Sequence, residues 1–244
     1  MKNKLKHLIK FIFDIFLPPR CLICQTIVQG KNGLCGKCFA KVNFLTDQSC
    51  PVCGRPYTFP VEGGNLVCGK CLTHPPHFKY SKSVFAYDSF SRQLILPLKH
   101  ANRTEVVPYL SMLLFQRGRE LLEICDYIIP VPLYWRRLLK RKYNQSALLA
   151  MQLSKLSKKS CLNGVLIRIK NTQSQGHKTR KERQDNIKGA FDVRHPEYVK
   201  GKSIVLIDDV YTTGTTLNEC SRVLEKAGAK QVMVLCIARV CRFE

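Results

Sequence analysis

The segment 203–217 constrains the fold of this chain more than any other, because it joins a strand pattern to a helix pattern through a glycine turn. Residues 204–207 form an unbroken apolar run, mostly β-branched, which predicts a strand buried on both faces. Two adjacent carboxylates, Asp208 and Asp209, come at the carboxyl end of this predicted strand. A helical pattern of apolar residues begins at Leu217. The segment therefore predicts a strand–turn–helix unit with two acids at the turn.

The turn between the predicted strand and helix has the composition of an anion-binding loop. At such a junction, backbone N–H groups and the positive end of the helix dipole face the ligand. Gly214 permits a close approach of the backbone, and threonine hydroxyls donate hydrogen bonds to phosphate oxygens. Singly, an acidic pair is often a solvated turn and threonines are often only helix caps, but their joint order favours a phosphate site. The loop consists of Thr212, Thr213, Gly214, Thr215 and Thr216.

Eight of the thirteen cysteines form four Cys-x-x-Cys pairs in the first third of the chain. Two such pairs supply the four thiolates of a tetrahedral zinc site. This region has few large apolar side chains, so we expect the zinc to be structural. The simplest pairing is sequential, with four cysteines on each of two ions, and a cross-brace pairing stays open. The predicted ligands are Cys21, Cys24, Cys35, Cys38, Cys50, Cys53, Cys68 and Cys71.

The chain carries a formal net charge of +23, from 40 Lys and Arg against 17 Asp and Glu. Such an excess predicts an acidic partner, either a nucleic acid or a polyphosphate ligand, with a plain basic surface as the alternative. The densest cationic run, predicted as a loop at 136–142, lies among Tyr134, Trp135 and Tyr143. Cations and aromatic rings together suit single-stranded nucleic acid, yet the same cations could serve pyrophosphate alone. The candidate contacts for either ligand are Arg136, Arg137, Arg141 and Lys142.

Residues 4–17 place apolar side chains at helical spacing, with lysines between them and Pro18 and Pro19 directly after. The predicted helix is too short and too charged to span a bilayer, and no small-residue cleavage site follows it. We expect it to pack on its own protein, with a membrane-surface anchor or a partner-docking helix as alternatives. The expected protein is cytoplasmic, without a transmembrane segment, and either free or associated with the inner face of the membrane.

Predicted strands and helices alternate over the rest of the chain. This alternation is typical of an α/β domain with a mainly parallel sheet flanked by helices, in which ligands bind at the carboxyl ends of the strands. The chain is expected to divide into an N-terminal helix at 1–20, a double zinc ribbon at 21–78 and the α/β domain at 79–244. The predicted strands are 83–88, 127–132, 165–169, 204–207 and 231–238, and the predicted helices are 91–98, 106–125, 145–156 and 217–227.

The segment 203–217 resembles the signature of type I phosphoribosyltransferases, an apolar strand followed by Asp-Asp and Thr-Thr-Gly-Thr-Thr. The resemblance implies that the two acids hold the ribose hydroxyls of 5-phosphoribosyl-1-pyrophosphate (PRPP), bound with Mg²⁺, while the loop cradles its 5′-phosphate. It also implies a pyrophosphate loop at 131–145 and a loop at 171–189 that closes over the site, with a plain solvated loop as the alternative for 171–189. The implied PRPP site comprises Asp208, Asp209, Val210, Tyr211, Thr212, Thr213, Gly214, Thr215 and Thr216.

The whole arrangement resembles the ComF family of competence proteins: a short apolar helix, a double zinc ribbon and a phosphoribosyltransferase-like domain. One departure is Lys142, which stands where the family commonly has a glycine. Further pieces similar to the family are Pro130, Val131, Pro132, Leu133, Tyr143, Asn144, Gln145, 168–172, Gln175, Arg183, Asn186, Ala190 and Phe191.

The family resemblance implies a role in natural transformation, as a PRPP-binding, zinc-containing protein that handles imported single-stranded DNA. Its implied partners are other competence proteins, such as a helicase or recombination factors. The alternative is an active phosphoribosyltransferase, and because no acceptor-pocket motif is visible, whether the protein is an enzyme stays open. A third hypothesis, a zinc-ribbon nucleic-acid protein with a dead transferase site, is disfavoured by the intact acidic pair and Thr/Gly loop.

Overall fold

The computed structural model describes most of the chain. The predicted N-terminal helix at 4–17 and much of the predicted closing loop lie outside the described residues. The described residues are 18–29, 33–61, 66–100, 103–171 and 185–241.

Seven strands form two sheets within the described residues. They are β1 (Tyr80–Ala86), β2 (Tyr127–Pro130), β3 (Ser160–Cys161), β4 (Leu166–Arg168), β5 (Phe191–Val193), β6 (Ser203–Tyr211) and β7 (Gln231–Arg239). Five of them form a parallel sheet in the order β1-β7-β6-β2-β3, and β4 and β5 form an antiparallel pair. The main sheet confirms the predicted α/β fold, with β6 in its centre.

Strand β6 is buried on both faces, as its apolar run predicts. Val205 and Ile207 belong to one apolar cluster, and Ile204 and Leu206 belong to a second. Because successive side chains of a strand point to opposite faces, the two clusters lie on opposite sides of the sheet. All four residues are fully buried, so the sheet is the middle layer of the domain.

Eight helices accompany the strands in the described part of the chain. Residues 185–187 are also helical, and short 3₁₀ turns lie at Thr104–Val106 and Pro196–Tyr198. The helices are α1 (Gly36–Phe39), α2 (Gly69–Thr73), α3 (Arg92–His100), α4 (Val107–Arg117), α5 (Arg119–Ile124), α6 (Trp135–Arg141), α7 (Gln145–Ser157) and α8 (Thr215–Lys226).

The single helix predicted at 106–125 is wrong, because the chain breaks into α4 and α5 at Gly118. A Cβ atom at Gly118 would collide with the side chain of Leu235 on β7. The N–H group of Gly118 donates to the carbonyl of Leu114 at 2.8 Å and so ends α4. A residue without a side chain thus lets the chain turn close to the sheet.

The loop predicted at 136–142 is also wrong, because α6 occupies Trp135–Arg141. Leucine, arginine and lysine are good helix formers, and Lys142 ends the helix in the left-handed region, with φ of 67°. The implied pyrophosphate loop at 131–145 therefore contains a helix. None of the residues of α6 is buried, so this short helix lies on the surface.

No helix among the described residues is long and apolar enough to cross a membrane.

Candidate functional site

The acidic pair lies inside β6, not directly after it as the sequence predicts. The strand continues to Tyr211 because its backbone stays paired with β7, with Asp208 opposite Cys236 and Tyr211 opposite Arg239. The two carboxylates still lie near the carboxyl end of the central strand, where α/β sheets bind their ligands.

Asp209 is the more deeply buried acid, with 5% of its surface exposed. Its Oδ2 accepts a hydrogen bond from Nε2 of Gln145 at 3.0 Å. The same oxygen lies 3.1 Å from Nζ of Lys99 on α3, which forms an ion pair with it. A buried carboxylate needs such partners, because an unpaired charge away from water is costly. Lys99 is a site residue that no sequence pattern indicates.

Asp208 has a different set of partners. Its Oδ1 accepts hydrogen bonds from Oγ of Ser146 at 3.0 Å and from the N–H of Asp209 at 2.9 Å. Burial raises the pKa of Asp208 to about 7, and the negative charge of Asp209 acts in the same direction. The N–H of Asp209, the charge of Lys99 and the hydroxyl of Ser146 oppose this rise in pKa. Asp208 therefore titrates near neutral pH.

The start of α7 holds this network in place. Oδ1 of Asn144 accepts from the N–H of Ser146 at 3.0 Å and caps the helix. Nδ2 of Asn144 donates to the carbonyl of Val131 at 3.0 Å, which ties the loop after β2 to the helix. The hydroxyl of Tyr143 donates to the carbonyl of Leu98 at 2.6 Å. The run 143–146 thus anchors three segments and supplies two donors to the acidic pair.

The predicted anion-binding loop joins β6 to α8, which begins at Thr215. Gly214 precedes the helix with φ of +80°, a backbone conformation that L side chains rarely adopt, and a Cβ there would collide with the side chain of Tyr211. Oγ1 of Thr213 and Oγ1 of Thr215 lie 2.8 Å apart. Val210 and Tyr211 are buried, so these two predicted site residues lie in the sheet and support the loop.

The eight N-terminal cysteines form two groups of four, Cys21 to Cys38 and Cys50 to Cys71. Within each group the sulfur atoms lie within 4.8 Å of one another, so the pairing is sequential. In each, a backbone N–H donates to a sulfur at 3.4 Å, from Cys35 to Cys21 and from Cys68 to Cys50. Four thiolates with such donors fit a structural zinc ion. The nearby His77 pairs with Glu225 instead.

Comparisons with known proteins agree with both parts of the structure. Residues 12–72 match the family model of the double zinc ribbon domain, and residues 144–241 match that of the phosphoribosyl transferase domain. The chain is 34% identical over 230 residues to the DNA utilization protein YhgH of Escherichia coli strain K12, covering 91% of this chain and 98% of that protein. It is 33% identical over 228 residues to competence protein F of Haemophilus influenzae, covering 90% of this chain and 96% of that protein.

The chain belongs to the ComF family of competence proteins. Among solved structures, it is similar to an orotate phosphoribosyltransferase from Aeropyrum pernix, with 22% identity and a TM-score of 0.34. That similarity covers 63% of this ComF-family chain and 66% of the other.

Helix α6 carries the cationic run of this ComF-family protein next to the acidic pair. Nη1 of Arg141 donates to Oε1 of Gln145 at 3.4 Å, and Gln145 is the residue that contacts Asp209. The guanidinium of Arg136 lies 5.2 Å from the ring centroid of Trp135, whose side chain is 53% exposed. The helix thus presents a mixed cationic and aromatic surface at the rim of the site.

Arg168 on β4 brings positive charge towards Asp208, and Arg137 on α6 interacts with Arg168. Burial lowers the pKa of Arg168, the charge of Arg137 lowers it further, and the charge of Asp208 acts against both. Burial and the charge of Arg141 lower the pKa of Arg137 in turn. The guanidinium of Arg168 also lies 5.2 Å from the ring centroid of Phe191. The acidic pair therefore has a cationic neighbourhood drawn from α6 and β4.

A cavity of about 610 Å³ separates the second ribbon from the anion-binding loop. Its walls include Lys70 and His74 from the ribbon side, Thr213 and Thr215 from the loop, and Arg222 from α8. The cavity has the size of a small-molecule site and opens beside the loop.

Proposed function

We propose that this ComF-family protein binds PRPP together with Mg²⁺ and handles imported single-stranded DNA during natural transformation. The observation that carries the proposal is the acidic pair near the end of β6, anchored by Lys99, Gln145 and Ser146. A Thr/Gly loop that opens a helix follows the strand.

The arrangement suits a phosphorylated ribose. The carboxylates of Asp208 and Asp209 accept hydrogen bonds from the two ribose hydroxyls, and carboxylate oxygens are also ligands that Mg²⁺ prefers. The N-terminus of α8, a helix of 12 residues, offers N–H groups and its positive dipole end to the 5′-phosphate. Arg137 and Arg141 are the proposed cationic contacts of the pyrophosphate.

The surface of α6 supports the proposal of DNA binding. Its cations neutralise phosphates, and the exposed ring of Trp135 offers a platform on which a base can stack. The net charge of +23 exceeds what one PRPP molecule needs. The relatives named for competence and DNA utilization support the same role, in which other competence proteins are the expected partners.

Calorimetric titration with PRPP and Mg²⁺ tests the ligand. The double variant Asp208→Ala, Asp209→Ala should bind PRPP more weakly by on the order of 1.5–3 kcal/mol per hydrogen bond lost. The matched control is Glu197→Ala, an exposed acid before the amino end of β6. Equal affinity in the wild type and the double variant would reject PRPP as the ligand.

A working phosphoribosyltransferase is the second candidate, and the cavity beside the loop favours it, because an acceptor needs such space. Pyrophosphate displacement at the ribose C1 would develop charge that the cationic neighbourhood stabilises. The test measures pyrophosphate release from PRPP in the presence of a panel of nucleobases and single-stranded DNA. Release above the PRPP-only rate with any acceptor supports this candidate.

A further inference from the structure

Arg239, the last residue of β7, is a buried cation that the proposed PRPP site does not use. Only 6% of its surface is exposed. Its Nη1 donates to the carbonyl of Cys53 at 2.5 Å, and its Nη2 lies 3.8 Å from the sulfur of the same residue. Its Nε has no hydrogen-bond partner among the described residues. Arg239 therefore contacts one of the four cysteines of the second ribbon directly.

The charge of the second ribbon explains why a guanidinium is buried there. A buried cation is costly unless a negative charge compensates it. Four thiolates around one Zn²⁺ leave a net negative charge, and Arg239 points two of its nitrogens at a residue of that cluster.

Arg239 also contacts Tyr211, which supports the anion-binding loop. Its guanidinium carbon lies 3.9 Å from the ring centroid of Tyr211, close enough for a cation–π interaction. The hydroxyl end of Tyr211 lies directly beneath Gly214, so closely that a side chain on Gly214 would collide with it. Phe78, which comes after the last cysteine of the second ribbon, packs edge-on against the same ring with its centroid 6.2 Å away. The tyrosine thus connects the ribbon to the loop.

We propose that Arg239 is a positioning residue that couples the second zinc site to the anion-binding loop, so that zinc at 50–71 and PRPP at the loop strengthen each other's binding. The inference rests on the proposed binding of PRPP. Coupling between two sites is reciprocal, and its usual size is on the order of 5–150-fold in affinity. Beside the first ribbon, the Nη2 of Arg103 donates to the carbonyl of Leu22 at 3.5 Å, and this partly exposed arginine also pairs with Glu105. Arg103 serves as the matched control.

The experiment measures zinc release to a chromogenic chelator from the full-length protein, with and without saturating PRPP and Mg²⁺. Zinc should leave in two phases, and the variant Cys50→Ser identifies the phase of the second ribbon. PRPP should slow that phase about tenfold and leave the other unchanged. Arg239→Met should abolish this protection and lower PRPP affinity about tenfold. Arg239→Lys keeps the charge but lacks the planar guanidinium, so it should retain part of the zinc protection and part of the PRPP affinity. Arg103→Met should change neither.

The coupling would be overturned if PRPP slowed both phases of zinc release or neither phase. It would also be overturned if the PRPP affinity of Arg239→Met lay within about twofold of the wild type. If Arg239→Met does not fold, Arg239→Lys takes its place, and full zinc protection together with unchanged PRPP affinity in that variant would overturn the role of Arg239. If the wild type binds no PRPP, the proposed function fails and the coupling falls with it. If PRPP binds and protects no zinc, only the coupling fails.

Discussion

The Nζ atom of Lys99 lies 3.1 Å from Oδ2 of Asp209, and this ion pair connects α3 to the acidic pair on β6. The carboxylate is almost fully buried, whereas the lysine side chain keeps 20% of its surface exposed. Gln145 donates to the same oxygen, so the carboxylate has two partners before any ligand arrives. Lys99 and Gln145 therefore fix the position of the Asp209 carboxylate at the site.

Replacing Lys99 with methionine should destabilise the protein by on the order of 1–3 kcal/mol, because Asp209 stays buried but loses its charged partner. Urea denaturation measures this loss, and Lys155→Met, an exposed lysine on α7, is the matched control. A loss no larger than that of the control would show that Gln145 alone compensates the carboxylate.

Asp208 should make PRPP binding depend on pH. Its pKa of about 7 lies above the ordinary 3.8, so its contribution to folding stability is present below about pH 4 and declines as the pH rises through 7. PRPP binding should depend on pH in the opposite direction from folding stability, because the ribose hydroxyls and Mg²⁺ need the ionised carboxylate. PRPP affinity should therefore increase between about pH 6 and pH 8.

The comparison with Asp208→Asn separates this effect from the titration of the ligand's own phosphates. Calorimetry of both proteins over the same pH range should give a steeper rise for the wild type. Parallel pH profiles would mean that Asp208 does not titrate in the binding range.

Local patterns in the sequence were enough to predict the fold class and part of the candidate site. The apolar run 204–207 and the hydroxyl-rich turn are contiguous, and the cysteine pairs have metal-ligand spacing, so each pattern carries its own chemistry. Helix α6 was not predicted because it has no buried face, and hydrophobic periodicity detects only helices that bury one side.

The partners of the site could not be predicted because they are distant in the chain. Lys99 and Gln145 meet Asp209 only through the packing of α3 and α7. Arg239 contacts Cys53, which is 186 positions away. Nothing in the residues around Arg239 distinguishes it from a strand-end arginine on the surface, and only the tertiary structure shows its burial.

The two ribbons should lose their metal independently. Purified native protein should contain two zinc ions per chain, one for each four-cysteine group. Cys21→Ser and Cys50→Ser should each remove one ion and unfold the affected ribbon, because zinc replaces the core that this region lacks. Metal analysis by mass spectrometry measures the content, and Cys161→Ser, outside both groups, is the control. Native protein without zinc would contradict the assignment.

Binding of single-stranded DNA should weaken with salt if α6 contacts phosphates. The slope of log affinity against log salt should be roughly −0.7 per phosphate contacted. Changing the four α6-region cations to alanine should flatten the slope, whereas a control with four exposed cations elsewhere should change it less. The first variant carries Arg136, Arg137, Arg141 and Lys142 changed together, and the control carries Arg194, Lys200, Lys226 and Lys230. Equal slopes for the two variants would move the DNA site away from α6.

Trp135 should contribute to DNA affinity without contributing to stability, because its side chain is 53% exposed and packs in no core. If the indole stacks on a base, Trp135→Ala should lower affinity by about 1–3 kcal/mol at every salt concentration. Fluorescence anisotropy with a labelled oligonucleotide measures the affinity, and thermal unfolding of the same variant checks the fold. Leu139→Ala, a 71% exposed residue of the same helix, is the matched control for lost apolar surface. If Trp135→Ala lowers the melting temperature and leaves the DNA affinity of the folded protein unchanged, Trp135 has a structural role and the stacking proposal is wrong.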